Sequence, residues 1–338
     1  MMGDSRFGNM KALLGIVAGA GASYGIYKLI SWGSFKINKK SAISESAGVA
    51  KVSFQPGSLL AKVSGLDVVC VRTQDAAPGK GVAKSPGDLE PQHLKMLLSS
   101  LQTVNNPSDR CQILLTLSNA AVFTVNQNLI REFDGIHFIA GFLSDPTAEV
   151  RVQTLSALSN LCMNIQNQEQ LKIYVPEVLE LIETSPVNSD LQLCALRLLT
   201  NLSVTDRYQH LLKGSITLLL SLVVVSNEAL QVQALKVLVN LSSNPDMMDD
   251  IVQAQVPAAI VLLFDARTAS AVLLRLLTFV GNLKAWRPSI QVAEELRRKQ
   301  DCLFRVMLDE SSQLHSRLVQ LLSHPDEDIQ TQVARILT

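Results

Sequence analysis

A short phrase built around asparagine recurs five times along this chain and restricts its fold more than any other feature. It reads Leu-Ser-Asn at 117–119, Leu-Ser-Asn-Leu at 158–161, Leu-Thr-Asn-Leu-Ser at 199–203, Leu-Val-Asn-Leu-Ser at 238–242 and Val-Gly-Asn-Leu at 280–283. The asparagines, Asn119, Asn160, Asn201, Asn240 and Asn282, stand 41, 41, 39 and 42 residues apart. Self-similarity at a period near forty marks a helical solenoid, in which a unit hides its apolar face only by stacking on its neighbours.

The residues around the phrase agree. In the second unit Asp145-Pro146 precedes Val150, Leu155, Leu158 and Leu161, which fall on one helix face. Aspartate suits an N-cap and proline the first helical turn, where its missing N–H costs nothing. Asn106-Pro107, Ser185-Pro186 and His324-Pro325 punctuate other units, and Ser226-Asn227 does so without proline. Each phrase is therefore predicted near the end of a long helix. A second apolar helix precedes it, as with Ile136, Phe138 and Ile139 leading to Phe142 and Leu143, then Val178, Leu179 and Leu181, then Leu218 to Leu222.

This pattern resembles armadillo repeats, each with a short first helix, a second helix and a long third helix ending in Leu-x-Asn-Leu. The resemblance covers about residues 90–338, roughly six units. It implies an all-α, right-handed armadillo-type solenoid. The run Asn119-Ala120-Ala121-Val122-Phe123-Thr124-Val125-Asn126-Gln127 through Ile130-Arg131-Glu132, taken with the N-terminal segment, resembles the subfamily of armadillo repeat-containing protein 10 and its X-linked relatives.

Charge is zero overall but uneven. Residues 1–89 hold 11 basic and 5 acidic side chains, net +6, whereas residues 90–338 hold 19 and 25, net −6. A mildly acidic repeat domain is a poor electrostatic partner for nucleic acid. The five cysteines, Cys70, Cys111, Cys162, Cys194 and Cys302, form no Cys-x-x-Cys pair and read as structural thiols of a reducing compartment.

In chain order, residues 1–11 are a short flank and residues 12–33 form a candidate transmembrane signal-anchor. The sixteen uncharged residues 12–27 would span about 24 Å as a helix. Lys28 can snorkel, and Leu29, Ile30 and the interfacial Trp32 extend the segment. A cleaved signal peptide using Ala20-Gly21-Ala22 competes, but a secreted solenoid with unpaired cysteines is the poorer fit. Lys28, Lys36, Lys39 and Lys40 outnumber Arg6 and Lys11, so the C-terminal side is expected in the cytosol. Gly15 and Gly19, and Gly21 and Gly25, give two Gly-x-x-x-Gly spacings. These either let two anchors pack, giving self-association, or reflect a weakly hydrophobic anchor. Residues 34–88, rich in Ser, Gly, Ala and Lys, read as a flexible tether, and the repeats run from 89 to 338. The last unit, opened by Pro325, reads as a truncated cap.

No catalytic pattern stands out: there is no phosphate loop, no nucleophile elbow and no His-Glu-x-x-His helix, and nothing calls for a metal or cofactor. The expectation is a non-enzymatic scaffold. The asparagine column has two open roles. As a candidate peptide groove, each amide offers a donor and an acceptor to an extended backbone; alternatively it ties down neighbouring backbone. Armadillo importins place tryptophans one turn before such asparagines, but here those positions are Leu115, Ser156, Arg197, Lys236 and Thr278. Nuclear-signal recognition is therefore disfavoured. The subfamily resemblance implies the mitochondrial outer membrane with the repeats facing the cytosol, a role in mitochondrial dynamics and distribution, and partners of the Miro-type GTPase and kinesin-adaptor classes. It also implies an alternative, restraint of p53-dependent transcription. A soluble transport or cofactor adaptor is a further alternative. Bilayer physics alone does not separate mitochondrion from endoplasmic reticulum.

Overall fold

The computed structural model describes residues 90–286 and 288–338. The anchor 12–33 with Gly15, Gly19, Gly21 and Gly25, the flank Lys28, Lys36, Lys39 and Lys40, and the tether 34–88 with Cys70 lie outside the described residues.

Six long helices close successive units: α2 (Pro107–Ala120), α5 (Ala148–Cys162), α8 (Asp190–Leu202), α10 (Glu228–Ser242), α12 (Ser270–Ala285) and α15 (Glu327–Leu337). Each packs on the next, so they form one continuous row. Ahead of them come the shorter helices that back the row. Helix α1 (Pro91–Thr103) precedes α2; α3 (Thr124–Glu132) and α4 (Gly135–Ala140) precede α5; α6 (Ile165–Leu171) and α7 (Val175–Thr184) precede α8. In the fourth unit a 3-10 stretch, Asp206–Ser215, leads into α9 (Ile216–Val225). The fifth unit replaces regular helices with 3-10 turns at Pro245–Met247 and Ala258–Leu263 around the short α11 (Met248–Gln253). The sixth has α13 (Ile290–Arg298), a π-helical turn at Phe304–Leu308 and α14 (Leu314–Gln320). An isolated antiparallel bridge, Gln255 to Cys302, ties the fifth unit to the sixth.

The leucines of the repeated phrase explain the row. Leu114 and Leu117, Leu155 and Leu158, Leu196 and Leu199, and Leu235 and Leu238 are all buried. Each contributes about 1.5–3 kcal/mol of apolar burial, and on each helix the two stand three residues apart, on one face. Gly135 opens α4 where no side chain fits: an added Cβ would lie 2.8 Å from Leu98 Cδ1 and 2.9 Å from the Ile130 carbonyl. That close approach lets α4 settle on α1 and α3.

Helix starts follow the expected punctuation in part. Asn106 caps α2 with Pro107 at the first turn, its side chain accepting from Ser108 N, and Asn227 caps α10 by accepting from Leu230 N. Asp145 is not a cap. Helix α5 begins three residues later, and Asp145 instead accepts from Thr147 N at 2.8 Å and pairs with Arg110 of the preceding unit at 2.8 Å. Pro186 likewise stands ahead of the true cap, Ser189, and Pro325 ahead of Asp326. At α8 and α15 proline fixes the turn into the helix, and a polar side chain further on, Ser189 or Asp326, supplies the first acceptor.

Among the described residues one run, Asp206–Val225, is long and apolar enough to cross a membrane, and half of its span is buried inside the stack. Its apolar side chains, including Leu212, Leu219 and Leu220, are core residues of the fourth unit.

Candidate functional site: the row of long helices

The asparagine column lies on this row, and its amides reach backwards. Asn160 Nδ2 donates to the Ser118 carbonyl at 2.9 Å and to Ser118 Oγ at 3.1 Å. Asn201 Nδ2 repeats the pair on Ser159 at 2.9 and 3.1 Å. Asn240 Nδ2 donates to Ser203 Oγ at 3.0 Å and more weakly to the Thr200 carbonyl, and Asn282 Nδ2 donates to Ser242 Oγ at 3.0 Å. Each amide thus clasps the preceding unit. Asn160 and Asn201 are fully buried with both amide protons engaged, so neither has a proton left for a peptide backbone. For these two the geometry is that of a tie to the neighbouring repeat: a side chain enclosed between stacked helices must satisfy its donors locally. Asn240 and Asn282 are half-buried. Asn119, in the first unit, is buried and neither of its amide atoms has a partner.

A second set of amides, which the sequence reading passed over, completes the connection. Gln127 Nε2 donates to the Ala121 carbonyl, at the end of the preceding unit, at 2.7 Å and to the Asn160 carbonyl of its own unit at 3.0 Å. Gln168 does the same to Cys162 and Asn201, and Gln209 to Ser203 and Asn240. Gln127, Gln168 and Gln209 stand 41 and 41 residues apart, so the period that reveals the asparagines also marks them. Asparagine reaches back to the preceding long helix and glutamine bridges the carbonyls at the ends of the two, so the α2–α5, α5–α8 and α8–α10 junctions carry both.

Two other rows of residues precede the asparagines along the long helices. Eight positions before the asparagines stand Cys111, Val152, Leu193 and Val232, all partly buried on the core, and the buried Leu274. Four positions before them stand Leu115, Ser156, Arg197, Lys236 and Thr278. Ser156 and Thr278 turn their hydroxyls to their own helices, onto Val152 O at 2.9 Å and Leu274 O at 2.8 Å. Past their first turns the six long helices carry five cations, Arg197, Lys236, Arg275, Lys284 and Arg335, and no carboxylate.

Three thiols, Cys111, Cys162 and Cys194, are held in their protonated form. Burial raises the pKa of Cys162 and Cys194, and at Cys111 burial together with Glu149 and Asp145 does so. A thiol so placed is a poor nucleophile. Among the described residues no group of three His, Cys, Asp or Glu side chains converges as a metal site would require.

Comparison with known proteins follows this geometry. Residues 89–308 match the profile of a family described as Armadillo-like. A designed armadillo repeat protein, YIII(Dq)4CqI, superposes with a TM-score of 0.59 at 16% identity, over 73% of this chain and 98% of that one. Computationally designed armadillo repeat proteins for modular peptide recognition superpose with a TM-score of 0.60 at 17% identity, over 73% and 98%. A further designed armadillo protein, solved in complex with the peptide (KR)4, gives 0.59 at 17%, over 71% and 98%.

Proposed function

The chain belongs to the armadillo-like family, and from that premise we propose that it is a membrane-anchored, non-catalytic scaffold that recruits protein partners through its row of long helices. The observation that carries this is the row itself. Six stacked helices present side chains at the repeat period on one rigid surface, so one extended segment can be read unit by unit. Peptide recognition by designed armadillo proteins of the same fold supports the reading.

The proposed setting is the mitochondrial outer membrane with the repeats in the cytosol. The apolar stretch 12–33, its basic flank Lys36, Lys39 and Lys40, and the subfamily resemblance support it. A short, glycine-containing anchor suits a thin bilayer. The partners proposed are Miro-type GTPases and kinesin adaptors, in the service of mitochondrial distribution.

The test is protease added to intact mitochondria carrying the full chain. Digestion of the repeats without rupture of the outer membrane is expected, as is loss of membrane pelleting for residues 35–338. Protected repeats, or a mature chain beginning at Ser23, would overturn it. Changing Lys36, Lys39 and Lys40 to glutamate is expected to divert the protein or weaken its orientation.

A further inference from the structure

We infer that a cavity at the C-terminal end of the row holds the free C-terminal carboxylate of an extended partner segment that ends in apolar residues. This rests on the binding role proposed above and names the feature by which one end of such a partner is recognised.

The cavity has a volume of about 530 Å³, within the roughly 300–1,000 Å³ of small-ligand pockets. It opens between the last turns of α12 and α15 and the π-helical turn Phe304–Leu308. The buried Leu283, Phe304 and Ile336 line it together with the partly covered Trp286, Leu308 and Leu337. Two cations, Lys284 and Arg335, line the same cavity, and no Asp or Glu side chain does. Among the described residues neither cation forms an ion pair, with the terminal carboxylate of Thr338 at the rim or with any other.

Both cations stand in the last turns of their helices, where they complement the free carbonyls. That role accounts for the charges but not for an apolar cavity between them. It also leaves donors over, since an ammonium has three and a guanidinium five. The carboxylates nearest in the chain are directed elsewhere or stand off. Asp309 accepts from Arg297 Nε at 2.8 Å, Glu310 also acts on Arg297, and Glu327 and Asp328 lie about two turns before Arg335. A free C-terminus fits this arrangement better than an internal carboxylate. Its α-carboxylate and last side chain leave the same Cα, so one can meet Lys284 and Arg335 while the other covers Phe304 and Trp286. In an extended segment the side chains next to an internal Glu or Asp point the opposite way. Because α12 and α15 are the last two long helices of the row, a segment read along it reaches the cavity with its own end.

The experiment uses the full chain in nanodiscs of zwitterionic lipid and three hexapeptides labelled with fluorescein at the N-terminus. These are Ser-Gly-Ser-Gly-Leu-Phe with a free acid, the same peptide as its amide, and the amide of Ser-Gly-Ser-Glu-Leu-Phe. Fluorescence polarisation is expected to rank the acid about tenfold tighter than either amide, the strength of a hydrogen-bonded charge. Lys284→Gln with Arg335→Gln should bring the acid down to the amide at unchanged helix content, because Lys284 is half-buried and Arg335 exposed. Trp286→Ala should weaken acid and amide alike. Decanoate, a carboxylate on an apolar chain without peptide groups, should not displace the acid peptide at equal concentration. The acid-to-amide ratio in the unmodified chain needs no variant, so loss of helix content in the glutamine pair would not remove the test. Equal binding of acid and amide, a preference that survives the glutamine pair in its folded form, a match by the internal-glutamate amide, displacement by decanoate, or failure of the acid peptide to bind would each overturn the inference. None of these outcomes touches the anchored-scaffold proposal, which the protease and pelleting assays read separately.

Discussion

The second to fourth units and the last two are built on one plan but joined differently. Between α2 and α10 each junction of long helices carries an asparagine reaching back and a glutamine bridging the two helix ends, with Gln127, Gln168 and Gln209 in register. Beyond α10 the register breaks: position 250 is Asp250 rather than glutamine, and Asn282 keeps one bond, to Ser242 Oγ. The C-terminal units use 3-10 and π turns, the Gln255–Cys302 bridge and the Arg297–Asp309 ion pair at 2.8 Å instead. The lesson is that a solenoid's period can persist in its helices while the polar joints between them change. Buried, reciprocal amide bonds fix one stacking geometry, because leaving any member unpaired costs its full desolvation. Exposed ion pairs and single bonds constrain less.

The most severe way to break this contrast is Asn160→Ala with Asn201→Ala. It leaves the Ser118 and Ser159 carbonyls without their side-chain donors, and a loss of roughly 2–5 kcal/mol in urea unfolding is expected. Asn282→Ala should cost less than about 1 kcal/mol. Equal losses for Asn201→Ala and Asn282→Ala would dissolve the distinction.

Gln168→Leu tests the glutamine half of the joint. It removes the bonds to the Cys162 and Asn201 carbonyls at similar side-chain volume, for an expected loss of about 1–2 kcal/mol in the same assay. Should the variant match the wild type, the glutamines are bystanders and the asparagines alone hold the stack.

Native-state hydrogen exchange sharpens the contrast without mutation. Amides of α5 and α8 are expected to exchange only by global opening, and those of α13 and α14 by cheaper local opening. Uniform protection along the row would contradict the difference in joints.

The smallest effect is on pH. Hydrogen bonds from Lys172 and Tyr208 hold the Glu169 carboxyl below its ordinary value, and Ser311 and Arg297 do the same for Asp309. A depressed folded pKa contributes stability that is present above the unfolded value, near 4.5 for Glu169, and is lost as pH falls through the lower folded one. Melting temperature should therefore decline below about pH 4.5, and Glu169→Gln should flatten part of that decline. A Glu169→Gln variant with an unchanged acid limb would show that Glu169 does not contribute to it.

The chain's period and apolar pattern were enough to determine an all-helical solenoid of about six units, because a helix whose leucines fall on one face must bury that face against a copy of itself. Helix ends were legible where an asparagine stood directly at the cap, as at Asn106 and Asn227, and misread where a proline turn preceded the true cap, as at Asp145 and Ser185. Periodicity reports that a position is constrained, not by what. It could not say whether the asparagines face a partner or a neighbour, because both roles need the same amide at the same spacing. The stacked structure shows the neighbour's side of this for two of them, by bringing Ser118 to Asn160 and Ser159 to Asn201 across 42 residues of chain. Tertiary packing also turned Gln127, Gln168 and Gln209, unremarked polar residues of short helices, into joints, because a hydrogen bond depends on where two segments meet in space and a linear sequence does not contain that distance.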